Sequence, residues 1–245
     1  MMDRQQRRIA MWSGPRNIST AMMRSFENRP DSFVSDEPFY GYYLNHTDID
    51  HPGREEVLQS METDWYNVTD YITGDIPNGS AVWYQKHMAQ HNLPGVDLSW
   101  IDQVINCFLI RDPKEVILSY HKKYAVTRSE LLGFPQQVEL FRKITDELGI
   151  EPPIIDAKDV LLNPRDILQK LCEVVGIPFV DEMLSWPSGP RETDGMWAKY
   201  WYGSVEASRC FMPYTPPVEE LPAELEAIYE ECLVYYNTLH SKRIY

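Results

Sequence analysis

What most limits the fold of this chain is an alternation. Apolar runs too short for helices are separated by segments with helical spacing and clear start and stop signals. Arg8–Trp12 (RIAMW), Ser32–Ser35, Ala81–Tyr84 (AVWY), Val104–Ile110 (VINCFLI) and Pro153–Asp156 read as strands. Apolar runs without polar alternation are the mark of strands covered on both faces. Asp112-Pro113-Lys114-Glu115 supplies an N-cap, a proline at the first helical position and a carboxylate at the third, predicting a helix through about Tyr124. Asn163-Pro164 repeats the device, and Ile167, Leu168, Leu171, Val174 and Val175 follow at helical spacing until Gly176. A further helix is expected over Pro222–Leu239, packing through Leu225, Ile228, Tyr229, Leu233 and Tyr236. Strands alternating with helices imply an α/β fold with a central, mostly parallel sheet flanked by helices.

The 245 residues carry no repeat and no Gly/Ser linker, so one domain, 1–245, is the simplest division. Lys plus Arg number 23 against 37 Asp plus Glu, a formal charge of −14. That balance argues against a sequence-independent grip on nucleic acid, which needs a basic face. No apolar run approaches the roughly 20 residues that cross a bilayer, and the polar, basic start Met1–Arg8 has no apolar stretch behind it. No membrane role and a cytoplasmic location are therefore expected. Cys107, Cys172, Cys210 and Cys232 are far apart, so reduced thiols and no metal site are expected.

The sharpest local signal is Arg8–Phe26, where a strand runs through Ser13-Gly14-Pro15-Arg16-Asn17-Ile18 into a helix near Ser19-Thr20. A loop feeding a helix N-terminus offers backbone N–H groups and a positive dipole end to a phosphate or sulfate. Arg16 adds a forked cation, and the hydroxyls of Ser19 and Thr20 add donors. The segment lacks the second glycine and the Lys-Ser/Thr pair of a Walker A loop, which weakens an ATPase or kinase reading. The alternative is an ordinary strand-to-helix turn capped by Ser19 or Thr20.

A second cluster follows the fourth strand: Arg111-Asp-Pro-Lys-Glu-Val-Ile-Leu-Ser119-Tyr120. Arg111 sits at a strand's carboxyl end, where open α/β sheets bind ligands, and Ser119 lies two turns into the next helix. Here the chain resembles the sulfotransferases that use 3'-phosphoadenosine 5'-phosphosulfate (PAPS). Their Arg-x-Pro-x-x-x-x-x-Ser-Tyr segment, which holds the 3'-phosphate, is matched without a gap by residues 111–120. Gly14, Pro15, Arg16, Asn17, Ile18, Ser19 and Thr20 are similar to the family's loop for the 5'-phosphosulfate. Asp159–Pro164, with its following helix and Gly176-Ile-Pro-Phe179, is similar to the family's late helix. Residues 194–211 fall where the family keeps its C-terminal cofactor loop, and Arg191 is carried over as a second 3'-phosphate ligand. The resemblance implies a three-layer, P-loop-like α/β fold, PAPS as sulfuryl donor, no metal, a small-molecule acceptor and a possible homodimer.

Sulfuryl transfer needs stabilisation of the leaving phosphate and a base for the acceptor's proton. Arg16 and the helix N-terminus are the candidates for the first. For the second, Gln85–His91 lies where the family has Lys-x-His. Lys86 fits the lysine, Met88 takes the histidine's slot, and His87 and His91 flank it. Alternation along a strand turns His87 away from the face of Lys86, and His91 lies beyond the strand end. Glu37, after the second strand, is a third base candidate. Tyr40, Tyr42, Tyr43, Trp65, Tyr66, Trp197, Tyr200, Trp201 and Tyr202 are expected to overhang the crevice, favouring a flat, hydrophobic or cationic acceptor. His46, His51, His121 and His240 are expected in solvent. The rival readings are a nucleotide-binding module without catalysis and a kinase or hydrolase acting on ATP.

Overall fold

The computed structural model describes residues 6–245; of the polar start at 1–8, residues 1–5 lie outside the described residues. Five strands, β1 (Arg7–Ser13), β2 (Ser32–Asp36), β3 (Val82–Met88), β4 (Ile105–Ile110) and β5 (Ile154–Asp156), form one sheet in the order β2-β3-β1-β4-β5. Every pairing is parallel, so all carboxyl ends open on one edge. From β1 the chain moves out to β2, returns to β3 and then crosses to β4. That makes β1 the switch point, beside which open sheets form their crevice.

The helices are α1 (Ser19–Glu27), α2 (Tyr40–Asn45), α3 (Arg54–Ser60), α4 (Trp65–Thr73), α5 (Pro113–His121), α6 (Phe134–Leu148), α7 (Ala157–Leu162), α8 (Pro164–Val175), α9 (Ala198–Trp201), α10 (Gly203–Glu206) and α11 (Glu226–His240). They cover the two faces according to strand parity. Ile9 and Met11 pack with Met22, Met23 and Phe26 of α1 and with Leu168 and Leu171 of α8. Ala10 and Trp12 pack with residues of α4, α5, α6 and α11. The result is the expected three-layer α/β arrangement.

Several elements differ from expectation. β3 runs to Met88, four residues past the predicted end, although Gln85, Lys86 and His87 are polar. All seven of its residues are buried, and the polar ones have partners: Gln85 Nε2 donates to the Ile72 carbonyl at 2.7 Å, and Lys86 is ion-paired. α5 stops at His121 instead of near Tyr124. α6 had no predicted counterpart; it starts at Phe134 with Pro135 in its first turn and ends at Gly149 in the left-handed conformation. α11 begins at Glu226 after a 3-10 turn over Ala223–Leu225 and buries Cys232, Tyr236 and Leu239. Among the described residues no helix is long and apolar enough to cross a membrane.

Candidate active site

A cleft of about 390 Å³ opens over the carboxyl ends of the strands. Its floor is the β1–α1 loop. Gly14 lies tight beneath the loop around Leu132: a Cβ there would sit 2.3 Å from the Leu132 carbonyl oxygen. Arg16 and Ile18 take positive φ (62° and 57°), a conformation that costs a non-glycine residue about 1 kcal/mol or more. Asn17 is buried and ties the loop down, donating through Nδ2 to the Leu109 carbonyl of β4 at 3.2 Å. α1 then starts with no side-chain cap and no acidic residue in its first turn. The ordinary capped turn is therefore absent, and Ser19, Thr20 and Ala21, the first turn of α1 that keeps free N–H groups, line the cleft.

Arg111, directly after β4, reaches this loop. Its Nη1 donates to the Arg16 carbonyl at 2.6 Å, and its Nε meets Glu115 at 2.8 Å. Arg16 in turn donates through Nε to Ser119 Oγ at 2.9 Å. The two motifs, separated by about a hundred positions in the sequence, thus meet at one corner of the cleft. Burial, and secondarily the charge of Arg111, lower the pKa of the Arg16 guanidinium. Two like charges held this close favour an anion between them.

The other end of the cleft is built on β2 and β3. Lys86 shares the face of Tyr84 and Met88, and its Nζ donates to Asp36 Oδ1 at 2.8 Å, Glu37 Oε1 at 2.6 Å and the Tyr202 hydroxyl at 2.5 Å. Burial alone would strip the charge from Lys86, but Asp36, Glu37 and Tyr202 outweigh it and hold its pKa well above the usual lysine value. Glu37 has φ 48° and is buried; burial, partly offset by Lys86, raises its pKa. His91, on the turn after β3, stacks on Tyr40 and Tyr43 with ring centroids 5.1 and 4.7 Å away, and its Nε2 is 3.9 Å from Glu37 Oε2. Burial, then the charges of His51, Lys86 and His87, push its pKa well below the ordinary value.

Pro15, Arg16, Asn17, Ile18, Ser19, Thr20, Glu37, Lys86, His91 and Arg111 all line the cleft, and Ser119 is bonded to its rim. Three expected residues do not line it: Gly14, packed beneath the Leu132 carbonyl, His87 and Arg191. His87 points through the opposite face of the sheet into a ring cluster, 4.5 Å from Trp12 and 5.7 Å from Phe39 and Trp100. Its parity is opposite to that of Lys86, as strand geometry requires. Arg191 is drawn to the far end of α1, where its Nε is 3.4 Å from Glu27 and its Nη2 donates to the Pro187 carbonyl. Eight residues of helix separate Glu27 from Ser19, about 12 Å.

Of the rings, Tyr40, Tyr43, Trp197, Trp201 and Tyr202 line the cleft, and Tyr42, Trp65, Tyr66 and Tyr200 do not. Trp65 is instead core, stacked on Phe39 at 4.1 Å. His51, expected in solvent, is a half-buried cleft residue, with Nδ1 2.8 Å from the Tyr40 hydroxyl and a pKa lowered by burial to about 4. His46 and His121 are exposed. Tyr120, Tyr214 and the stretch around Ser208–Thr215 complete the walls. The Tyr214 hydroxyl donates to Glu115, the partner of Arg111, at 2.7 Å. No motif singled out Tyr214, because only the fold brings it beside Arg111.

Comparison with known proteins bears on this geometry. The sequence pattern of the Sulfotransferase domain family matches residues 7–243. Two Arabidopsis thaliana proteins, branched-chain-amino-acid aminotransferase-like proteins 2 and 1, are 34% identical over 232 residues and 35% identical over 235 residues. These alignments take in 94% and 95% of this chain but 41% of each relative, so the chain spans well under half of their length. A sulfotransferase crystal structure from Alicyclobacillus acidocaldarius superposes with a TM-score of 0.54 at 12% identity, covering 98% of this chain and 97% of that one.

Proposed function

The chain belongs to the Sulfotransferase domain family, and we propose that it transfers a sulfuryl group from PAPS to a hydroxyl or amine of a small-molecule acceptor. The observation that carries this reading is the junction of Arg111, Arg16 and Ser119 beside the uncapped start of α1. A donor with phosphate at one end and phosphosulfate at the other fits that set. Arg111 and Ser119 take the 3'-phosphate, and the first N–H groups of α1 with Ser19 and Thr20 take the phosphosulfate. Arg16, whose side chain reaches from the loop to Ser119, adds its charge between the two. A cleft of about 390 Å³ is within the usual range of small-molecule sites.

In the transfer, the acceptor oxygen or nitrogen bonds to sulfur, the bridging S–O bond breaks, and 3',5'-ADP leaves with the electron pair. The α1 amides and Arg16 stabilise that leaving phosphate. Glu37 takes the acceptor's proton. Its raised pKa makes it the better proton acceptor of the two groups on this wall, since burial and positive neighbours leave His91 a weak base. Lys86, with its donors committed to Asp36, Glu37 and Tyr202, orients Glu37 instead of binding donor. The aminotransferase-like names of the Arabidopsis relatives are not carried over, because those proteins extend far beyond the matched region.

The test is a screen of hydroxyl and amine compounds with PAPS labelled in the sulfuryl group. Label transferred to an acceptor by the wild-type chain, and lost in Arg111→Ala, supports the reading. Binding of 3',5'-ADP with no transfer to any acceptor class would favour a nucleotide-binding module instead, and Mg²⁺-dependent turnover of ATP would favour a kinase or hydrolase.

A further inference from the structure

Between Asp194 and Thr215 the chain passes over the cleft as a cap, and one of its side chains, Tyr202, reaches Lys86 and Asp36, the charged neighbours of the group that must accept the proton. We propose that Tyr202 is a positioning residue for Glu37: its hydroxyl closes a buried network with Asp36 and Lys86 and fixes how the Lys86 ammonium is divided between the two carboxylates. The proposal rests on the reading of Glu37 as proton acceptor given above.

The hydrogen-bond inventory of the network is complete. An ammonium has three donors, and those of Lys86 go to Asp36, Glu37 and Tyr202 at 2.8, 2.6 and 2.5 Å. The Tyr202 oxygen accepts from Lys86 and, at 3.1 Å, from Trp197 Nε1, and it donates to Asp36, 2.7 Å from Oδ2. Asp36 Oδ2 also accepts from the Gly195 N–H at 3.1 Å. Tyr202, Lys86 and Asp36 are all buried. Each bond is therefore stronger than its counterpart in water, and each loss is felt by the others.

Five polar or titratable groups surround Glu37: Asp36 beside it on β2, Lys86 on β3, His91 on the turn after β3, Tyr40 on α2, and Tyr202 from the cap. His91 and Tyr40 are kept neutral by burial, so the charges acting on Glu37 are those of Asp36 and Lys86. Without the Tyr202 hydroxyl, Asp36 loses a donor. It then draws the ammonium toward itself and presses its own charge on Glu37, which holds its proton more tightly. Ring packing is a separate contribution, because Tyr202 also lies in a cluster with Tyr40, Tyr43 and Trp197. A role in packing alone predicts a looser cap and an unchanged Glu37.

The experiment follows the Glu37 carboxyl carbon by ¹³C NMR through a pH titration, with its resonance assigned by Glu37→Gln and the protein saturated with 3',5'-ADP. Tyr202→Phe, which deletes one oxygen, is expected to raise the Glu37 midpoint by about half a unit or more. Replacing Tyr202 with 3-fluorotyrosine keeps the ring, strengthens the hydroxyl as a donor and should move the midpoint the other way. Val205→Ala trims the packing of the same cluster without removing a hydrogen bond of the network, and should leave the midpoint in place. An unmoved midpoint in the first two, or an equal move in Val205→Ala, overturns the proposal. Calorimetry on the same samples should find the 3',5'-ADP affinity within about threefold of wild type, a difference below 1 kcal/mol. Weakening beyond that with Glu37 unmoved would make Tyr202 a nucleotide-pocket residue. Failure of the wild-type chain to bind the nucleotide defeats the sulfotransferase reading itself, whereas binding with an unmoved midpoint defeats only the role of Tyr202.

Discussion

Glu37 is held in two unfavourable states at once, a positive φ and a buried carboxylate. Strain of this kind collects at sites that need a side chain aimed, and three of the four non-glycine positive-φ residues among those described, Arg16, Ile18 and Glu37, line the cleft. The chemical consequence is a pH dependence. Because burial raises the Glu37 pKa, its proton-accepting form is lost as pH falls through a value above the ordinary carboxylate range near about 4. The acid limb of the transfer rate should lie there; a limb in the ordinary range would contradict the assignment. Glu37→Gln keeps the shape and removes the base, so transfer should fall about 100-fold or more with 3',5'-ADP affinity little changed. The candidates Glu37 and Lys86 were legible as residue types in position. Their pairing was not, since it is made between β2 and β3.

At the scale of elements, the β1–α1 turn does the most with the fewest residues. Its backbone must pass under the loop around Leu132, where a Cβ at position 14 would lie 2.3 Å from a carbonyl oxygen. Gly14→Ala should lower stability by about 1–3 kcal/mol and weaken 3',5'-ADP binding, since the loop that receives the anion must shift. Thermal unfolding and calorimetry check both. Four strands were readable from apolar runs, because burial on both faces writes itself into composition. β3 was cut short because Gln85, Lys86 and His87 are buried through partners far away in sequence, and α6 was missed. His87 shows the limit of motif reading: one position from Lys86, it belongs to the opposite face of the sheet.

The whole molecule adds the cap and its anchor. Arg24 of α1 holds Asp194 at 2.6 Å, and both side chains are buried, with relative exposures of 1% and 5%. Asp194→Ala leaves Arg24, among the described residues, with Glu27 at 3.3 Å as its carboxylate partner, and breaking a buried pair costs about 3–5 kcal/mol. The variant should unfold at lower temperature and be cut faster by protease between residues 194 and 215. An unchanged cleavage pattern would show that the ion pair does not hold the cap. The cap's own arrangement was not legible, because its residues answer to the floor beneath them: Tyr202 to Lys86, Tyr214 to Glu115, Asp194 to Arg24. Arg191 is misplaced for the same reason, its charge being taken by Glu27.

The most direct measurement is titration calorimetry of 3',5'-ADP against the wild-type chain and Arg111→Ala, with ATP as the control nucleotide. Two anion positions on one rim predict that 3',5'-ADP binds more tightly than ATP, and that Arg111→Ala weakens it by about 30-fold, roughly 2 kcal/mol for a lost charged hydrogen bond. Equal binding of 3',5'-ADP to both chains, or a preference for ATP that the variant retains, would contradict the account.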